Sequence, residues 1–257
     1  MWRNIMKKTW KYGILLIGVV LVFALLEGVL NPVSSKKLVD AIEQEDIEEV
    51  RRLLEKGADP NEPDGIRIPF LASLLESSPD RPLSVACKTG NLELVKLLIS
   101  YGATAEDQKD MGRSPLEATL LHYHPDDIEM VKLLLENGAD ISQEEGEPPV
   151  FLASYMIPKK IDKTKANVTF YSTGYDEETA KGITEIVKLL MGDFDINDQT
   201  YYSCTLLMHA ARVGNLDLVE YLLSIGAERD LKGSTGKTAY DYAVDNGHTE
   251  IAEMLSE

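Results

Sequence analysis

The sequence predicts an all-α solenoid of about six stacked helix pairs joined by hairpin loops, with one apolar N-terminal helix ahead of them. Three observations predict it. The phrase "GNLELVKLLISYGA" at residues 90–103 returns nearly unchanged as "GNLDLVEYLLSIGA" at residues 214–227. Its outline recurs as "DIEEVRRLLEKGAD", "DIEMVKLLLENGAD", "GITEIVKLLMGDFD" and "GHTEIAEMLSE". The interval between matching starts, Arg81 to Ser114 and Thr205 to Thr238, is one helix–turn–helix unit of about 33 residues.

Residues 1–12 form a basic flank with Arg3, Lys7, Lys8 and Lys11. The uncharged stretch "GILLIGVVLVFALL" follows, then Glu27 and "GVLNPVSSKK". A membrane span needs roughly 17–25 residues. Residues 13–30 reach that range if Glu27 snorkels and Trp10 and Tyr12 sit at the interface. Two readings fit: an uncleaved signal-anchor, or a signal peptide cleaved near Val33-Ser34-Ser35. In both, the preceding basic flank sends the body across the membrane. The first leaves a single-pass protein, N-terminus cytoplasmic and body extracytoplasmic; the second gives a secreted or periplasmic one. Residues 31–36 are a linker, and residues 37–257 form the repeat domain.

Within each copy, Asn91, Asn215 and Asp127 are suited to accept backbone N–H bonds as N-caps. Apolar residues then recur three and four apart, as Leu94, Val95 and Leu98 do. Gly57, Gly102, Gly138 and Gly226 supply the left-handed stop. A preceding helix starts at "RPLSVACKTG", "SPLEATLLHY", "TLLMHAARVG" and "KTAYDYAVDNG". Its small residues, Ala86, Ala118, Ala210 and Ala243, allow close approach to a neighbour. An isolated helix of about 11 residues is marginal in water, so each pair depends on the next for burial.

These paired helices, their period and the Gly-Ala-Asp turns resemble the ankyrin-repeat family over about residues 37–257. The resemblance implies antiparallel helix pairs with projecting hairpins. It also implies a protein held by the hairpin tips and the concave face of the first helices. The family's usual His after Thr-Pro-Leu is replaced here by Ser84, Glu117, Phe151, Met208 and Asp241, so the usual hydrogen-bond link between neighbouring repeats is not expected. The first copy lacks the Thr-Pro start and reads as a charged terminal cap.

Two stretches break the period. "EPDGIRIPFLASLLESSPD" after Asn61 suggests a short helix over residues 70–75. An insert over about residues 157–181 separates the helices of the fourth repeat. It carries Lys159, Lys160, Lys163 and Lys165, a basic island with Phe170, Tyr171 and Tyr175, and "NVTFYSTGY" suits a small hairpin. Asn167 opens a glycosylation sequon. The insert fits both a tolerated surface loop and a partner contact.

Three motifs suggest chemistry and fail. "GSTGKT" at residues 233–238 resembles a phosphate-binding loop, but Leu231 stands where a glycine is required and no strand precedes it. "DFDIND" opens like a calcium loop, but Asp198 and Cys204 occupy the Gly and Glu places. "HYHPDD" gathers His122, His124, Asp126 and Asp127 in a turn that needs the acids as caps. Cys87 and Cys204 lie about three repeats apart, too far for a disulfide, and are expected to be free thiols.

The formal charge of −17 disfavours nucleic acid as a partner. With four histidines and no nucleophile–base set, the sequence gives no enzyme, cofactor, metal or small-molecule substrate. It points to a non-enzymatic module at a membrane, binding another protein with a basic surface. An inhibitor or immunity-type regulator of an enzyme, and a self-associating structural element, are the alternatives. The residues placed for contact are Lys88, Asp110, Arg113, Glu144, Glu145, Lys159, Lys160, Tyr171, Tyr175, Arg212, Lys232 and Ser234.

Overall fold

A computed structural model describes residues 35–63, 80–106, 113–142, 147–154, 156–158, 175–199 and 203–256. The apolar stretch 13–30, the helix expected over residues 70–75, and the hairpin over 167–175 apart from Tyr175 lie outside these residues. Among the described residues no helix is long and apolar enough to cross a membrane.

Twelve helices are described, in six pairs. They are α1 (Ser35–Glu43) and α2 (Ile47–Glu55), α3 (Pro82–Thr89) and α4 (Leu92–Ser100), α5 (Pro115–Thr119) and α6 (Asp127–Glu136), α7 (Pro149–Ser154) and α8 (Glu177–Leu190), α9 (Leu206–Val213) and α10 (Leu216–Ser224), and α11 (Ala239–Asn246) and α12 (Thr249–Ser256). The first helices of the pairs pack along one row, and the second helices along another. One apolar core runs between the rows from Leu38 to Leu255. Ala86, Ala118, Ala210 and Ala243 are all buried, so α3 meets α5 and α9 meets α11 at close range. Full burial of Leu94 or Leu98 stabilises the stack by about 1.5–3 kcal/mol each.

The helices start and stop for local reasons. Asn91 accepts the N–H of Leu94, and Asn215 that of Leu218, as the sequence predicts. Ser114 and Glu117 form a reciprocal capping box, as do Thr238 and Asp241. Asp127 is not the cap expected of it. Asp126 takes that place without a side-chain bond, and the Asp127 carboxylate turns back to accept the N–H of His124 at 2.6 Å. The four predicted stop glycines all hold φ between 89° and 98°. At the end of α9, Gly214 has φ +78°, and a Cβ there would overlap the His248 ring. Glu45 holds the same left-handed turn in the first repeat, at a cost of roughly 1 kcal/mol, and its carboxylate accepts from Asn91 Nδ2 at 3.0 Å.

Asparagines and one serine take over the missing histidine link. Asn215 is fully buried; besides capping α10 it donates to Ala180 O at 3.3 Å, tying repeat five to repeat four. Asn91 ties the second repeat to Glu45 of the first. Ser84 Oγ donates to Arg113 O at 2.8 Å. Between loops, Asn61 accepts the N–H of Thr104 and donates to Gly102 O, while Asn197 accepts the N–H of Glu228.

The fourth repeat differs from the predicted outline. α8 begins at Glu177, so residues 177–181 are helix rather than insert. Beside the helices there is one two-residue pairing among the described residues, β1 (His122–Tyr123) parallel to β2 (Ile157–Pro158), with His122 opposite Ile157. That pairing holds Tyr123 over α8, where a Cβ at Gly182 would overlap the phenol. Met156 O accepts from Tyr175 Oη at 2.9 Å, so the chain leaves for the insert and returns from it at one point.

Alanine has the higher helix propensity, by about 1 kcal/mol, yet Gly182→Ala is expected to lower stability by about 1–2 kcal/mol, because the buried Tyr123 ring must move. Urea unfolding checks this. In a Tyr123→Ala background the same substitution should become stabilising.

Candidate functional site

A binding face needs side chains that project and a backbone that does not yield. On the first-helix row, Lys88 and Arg212 take matching places in the last turns of α3 and α9. Lys88 is exposed. Arg212 is half-buried and turns inward, its Nη2 donating to His209 Nε2 at 2.5 Å. The Arg113 side chain is exposed, and its carbonyl is held by Ser84.

The last loop is fastened from several sides. Ser234 N donates to Ser203 O at 3.2 Å, Gly233 N to Lys237 O at 3.0 Å, and Gln199 Nε2 to Lys232 O at 3.3 Å. Thr235 Oγ1 lies 3.1 Å from Tyr242 Oη. Lys237 Nζ meets Asp245 at 2.5 Å, an ion pair that raises the lysine above its ordinary pKa. The side chains of Lys232 and Ser234 project from this braced loop. A Cβ at Gly233 would lie 2.8 Å from Ser203 O, so the glycine is present for close packing, not for phosphate.

Tyr175, one of the residues expected at a partner contact, is half-buried and donates to Met156 O at the neck of the insert. Asp110, Glu144, Glu145, Lys159, Lys160 and Tyr171 lie outside the described residues. Lys88, Arg113, Lys232 and Ser234 therefore form no single cluster. They mark a strip that begins in the second and third repeats and resumes in the last loop.

First-turn acids are divided unevenly between the rows, with only Glu117 and Asp241 on the described first helices. Every second helix opens on acids, from Glu48 and Glu49 in α2, Glu93 in α4 and Glu129 in α6 to Glu177 and Glu178 in α8, Asp217 in α10 and Glu250 in α12. They face the positive ends of the helix dipoles. Last-turn cations, favoured at that end of a helix, occur in both rows: Lys88 and Arg212 in α3 and α9, and Arg52 and Lys188 in α2 and α8.

No group of three or more His, Cys, Asp or Glu side chains could hold a metal among the described residues. His124 Nδ1 lies 3.6 Å from Asp126, while Asp127 is committed to the turn. Both cysteines are free and buried, and burial pushes the Cys87 thiol up to about 12.

His209 is a buried polar group that sequence reasoning missed. It lies against Phe151, with ring centroids 5.8 Å apart, and its Nδ1 is 3.3 Å from Ser154 Oγ. Because Ser154 already donates to Phe151 O, the ring is assigned as donating from Nδ1 and accepting Arg212 at Nε2. Burial, reinforced by the Arg212 charge, lowers its pKa to about 3. The unfolded chain takes up this proton near pH 6.5, whereas the folded chain resists it until about pH 3. The stability from neutral His209 is complete above pH 6.5 and is lost as pH falls through that window, by about 1 kcal/mol per unit. Urea melts at pH 7 and pH 4.5 should show a drop about 2 kcal/mol smaller in His209→Gln than in the parent chain.

Comparison with known proteins agrees with this geometry. A family model described as ankyrin repeats, three copies, matches residues 38–145 and 178–257. The chain is 28% identical over 182 residues to the Caenorhabditis elegans ankyrin repeat and KH domain-containing protein mask-1, covering 68% of this chain and 7% of that protein. It is 29% identical over 152 residues to a putative ankyrin repeat protein of Rickettsia bellii, covering 52% of this chain and 63% of the relative. It thus spans less than two thirds of either. In fold it resembles a chain from the complex of the Bdellovibrio bacteriovorus predatory endopeptidase Bd0816 with immunity protein Bd3460, with TM-score 0.60, 24% identity, and coverage of 87% of this chain and 98% of that one. With most of its length matched by the family model and six helix pairs stacked in two rows, the chain belongs to the ankyrin-repeat family.

Proposed function

We propose that the protein is a non-enzymatic protein-interaction module that holds its partner along the first-helix row and the hairpin ends. Ankyrin repeats imply protein–protein interaction. One observation carries the location: Lys88, Arg113, Lys232 and Ser234 expose their side chains from ordered backbone, with hydrogen bonds bracing Arg113 and the last loop. Such a surface loses little conformational freedom on binding. The acidic body, at −17 overall, steers a partner with a basic face toward it. A photo-crosslinking residue at position 88 or 232 should capture a partner protein that the same residue at position 220, on the second-helix row, does not. Equal capture from both rows would overturn the location.

The fold relative seen in an endopeptidase–immunity protein complex favours one second reading, a regulator that blocks an enzyme. Adding the purified chain to its captured partner separates the two: loss of the partner's activity supports the inhibitor.

Residues 13–30 would place this module at a membrane, with the body extracytoplasmic. External protease should then cut the body in intact cells or spheroplasts, and the mature N-terminus should show whether the span stays attached. A body protected until lysis would overturn the orientation.

A further inference from the structure

In a repeat array the apolar side chains on a unit's face are the ones a neighbouring unit covers. In the first described repeat, α1 keeps Lys36, Lys37 and Glu43 exposed. The last described repeat differs. Tyr240 and Val244 of α11 remain 42% and 52% exposed. Aligned on the caps Thr205 and Thr238, their counterparts in α9 are Leu207 and Ala211, both fully buried in the helix that packs against α11. The last pair thus presents apolar residues at the positions an internal pair uses to receive its neighbour.

Between α11 and α12 these residues line a groove of about 330 Å³ together with Gly247, Ala252 and Glu253. Neither helix contains a Lys or Arg. Asp241 caps α11 and Asp245 pairs with Lys237, while Glu250 and Glu253 stand exposed. The groove is apolar at its centre and acidic along the α12 side.

We propose that this end face docks one amphipathic α-helix of a partner protein, its apolar ridge seated across Tyr240 and Val244 and its basic flank toward Glu250 and Glu253. Helix in groove is how each internal pair is met, and apolar residues three, four and seven apart form such a ridge. A second copy is a poorer occupant. Its own end face would bring the same two carboxylates, and its opposite end carries the charged α1 surface.

The test uses the full chain and a labelled synthetic helix of about 14 residues with a leucine ridge and lysine flanks, read by fluorescence anisotropy, together with its glutamate-flanked counterpart. The lysine-flanked helix should bind. Val244→Lys should weaken it about tenfold or more with the melting temperature unchanged. If Val244→Lys lowers that temperature, Tyr240→Ser is read instead. Glu253→Lys should weaken the lysine-flanked helix and favour the glutamate-flanked one. Unchanged binding in Val244→Lys, equal binding of both helices, or a dimer in sedimentation that Val244→Lys dissolves would each overturn the proposal.

Discussion

Burial between nearest neighbours is the constraint on which the rest of the molecule depends. Helices of eight or nine residues such as α3 and α4 are too short to persist alone. Each internal pair has one apolar side against the pair before it and one against the pair after it. The core is therefore a band running the length of the array from Leu38 to Leu255, with no central point. Stability in such an array is a sum of unit and interface terms. Functional side chains can be distributed along the row without disturbing any single packing centre.

Polar ties fix the spacing that apolar contact leaves loose. Asn91 and Asn215 each begin a second helix and also reach back to the preceding repeat, so one side chain sets both helix start and inter-repeat distance. Asn61 and Asn197 perform the equivalent service between loops. This arrangement explains how the array dispenses with the usual histidine. Where a histidine does occur, at position 209, it is one place further along the helix and packs against Phe151 and Ser154 of the preceding repeat.

The repeat number, the helix faces, the Asn caps and the glycine stops were legible in the sequence because each is encoded within about ten residues. The contacts that join repeats were not. Tyr123 against Gly182 and His209 against Ser154 link distant positions whose local sequence carries no matching signal. Asn61 and Asn197 had a faint one, since "GADPN" and "DFDIN" place asparagine at the same step after the turn. Of the described surface residues, Lys88, Arg113, Lys232 and Ser234 project as their loop or last-turn positions imply. Arg212 and Tyr175 turn inward, toward partners that no spacing rule could name.

The clasp between Tyr175 and Met156, together with the two-residue β1–β2 pairing, has a consequence for how this chain can diverge. With departure and return sharing one point, the number of residues between them is decoupled from the geometry of the third and fourth repeats. Doubling such a detour adds only about 0.6 kcal/mol of closure entropy. Lineages can therefore lengthen, shorten or rewrite this excursion freely, while the helices on either side keep their register.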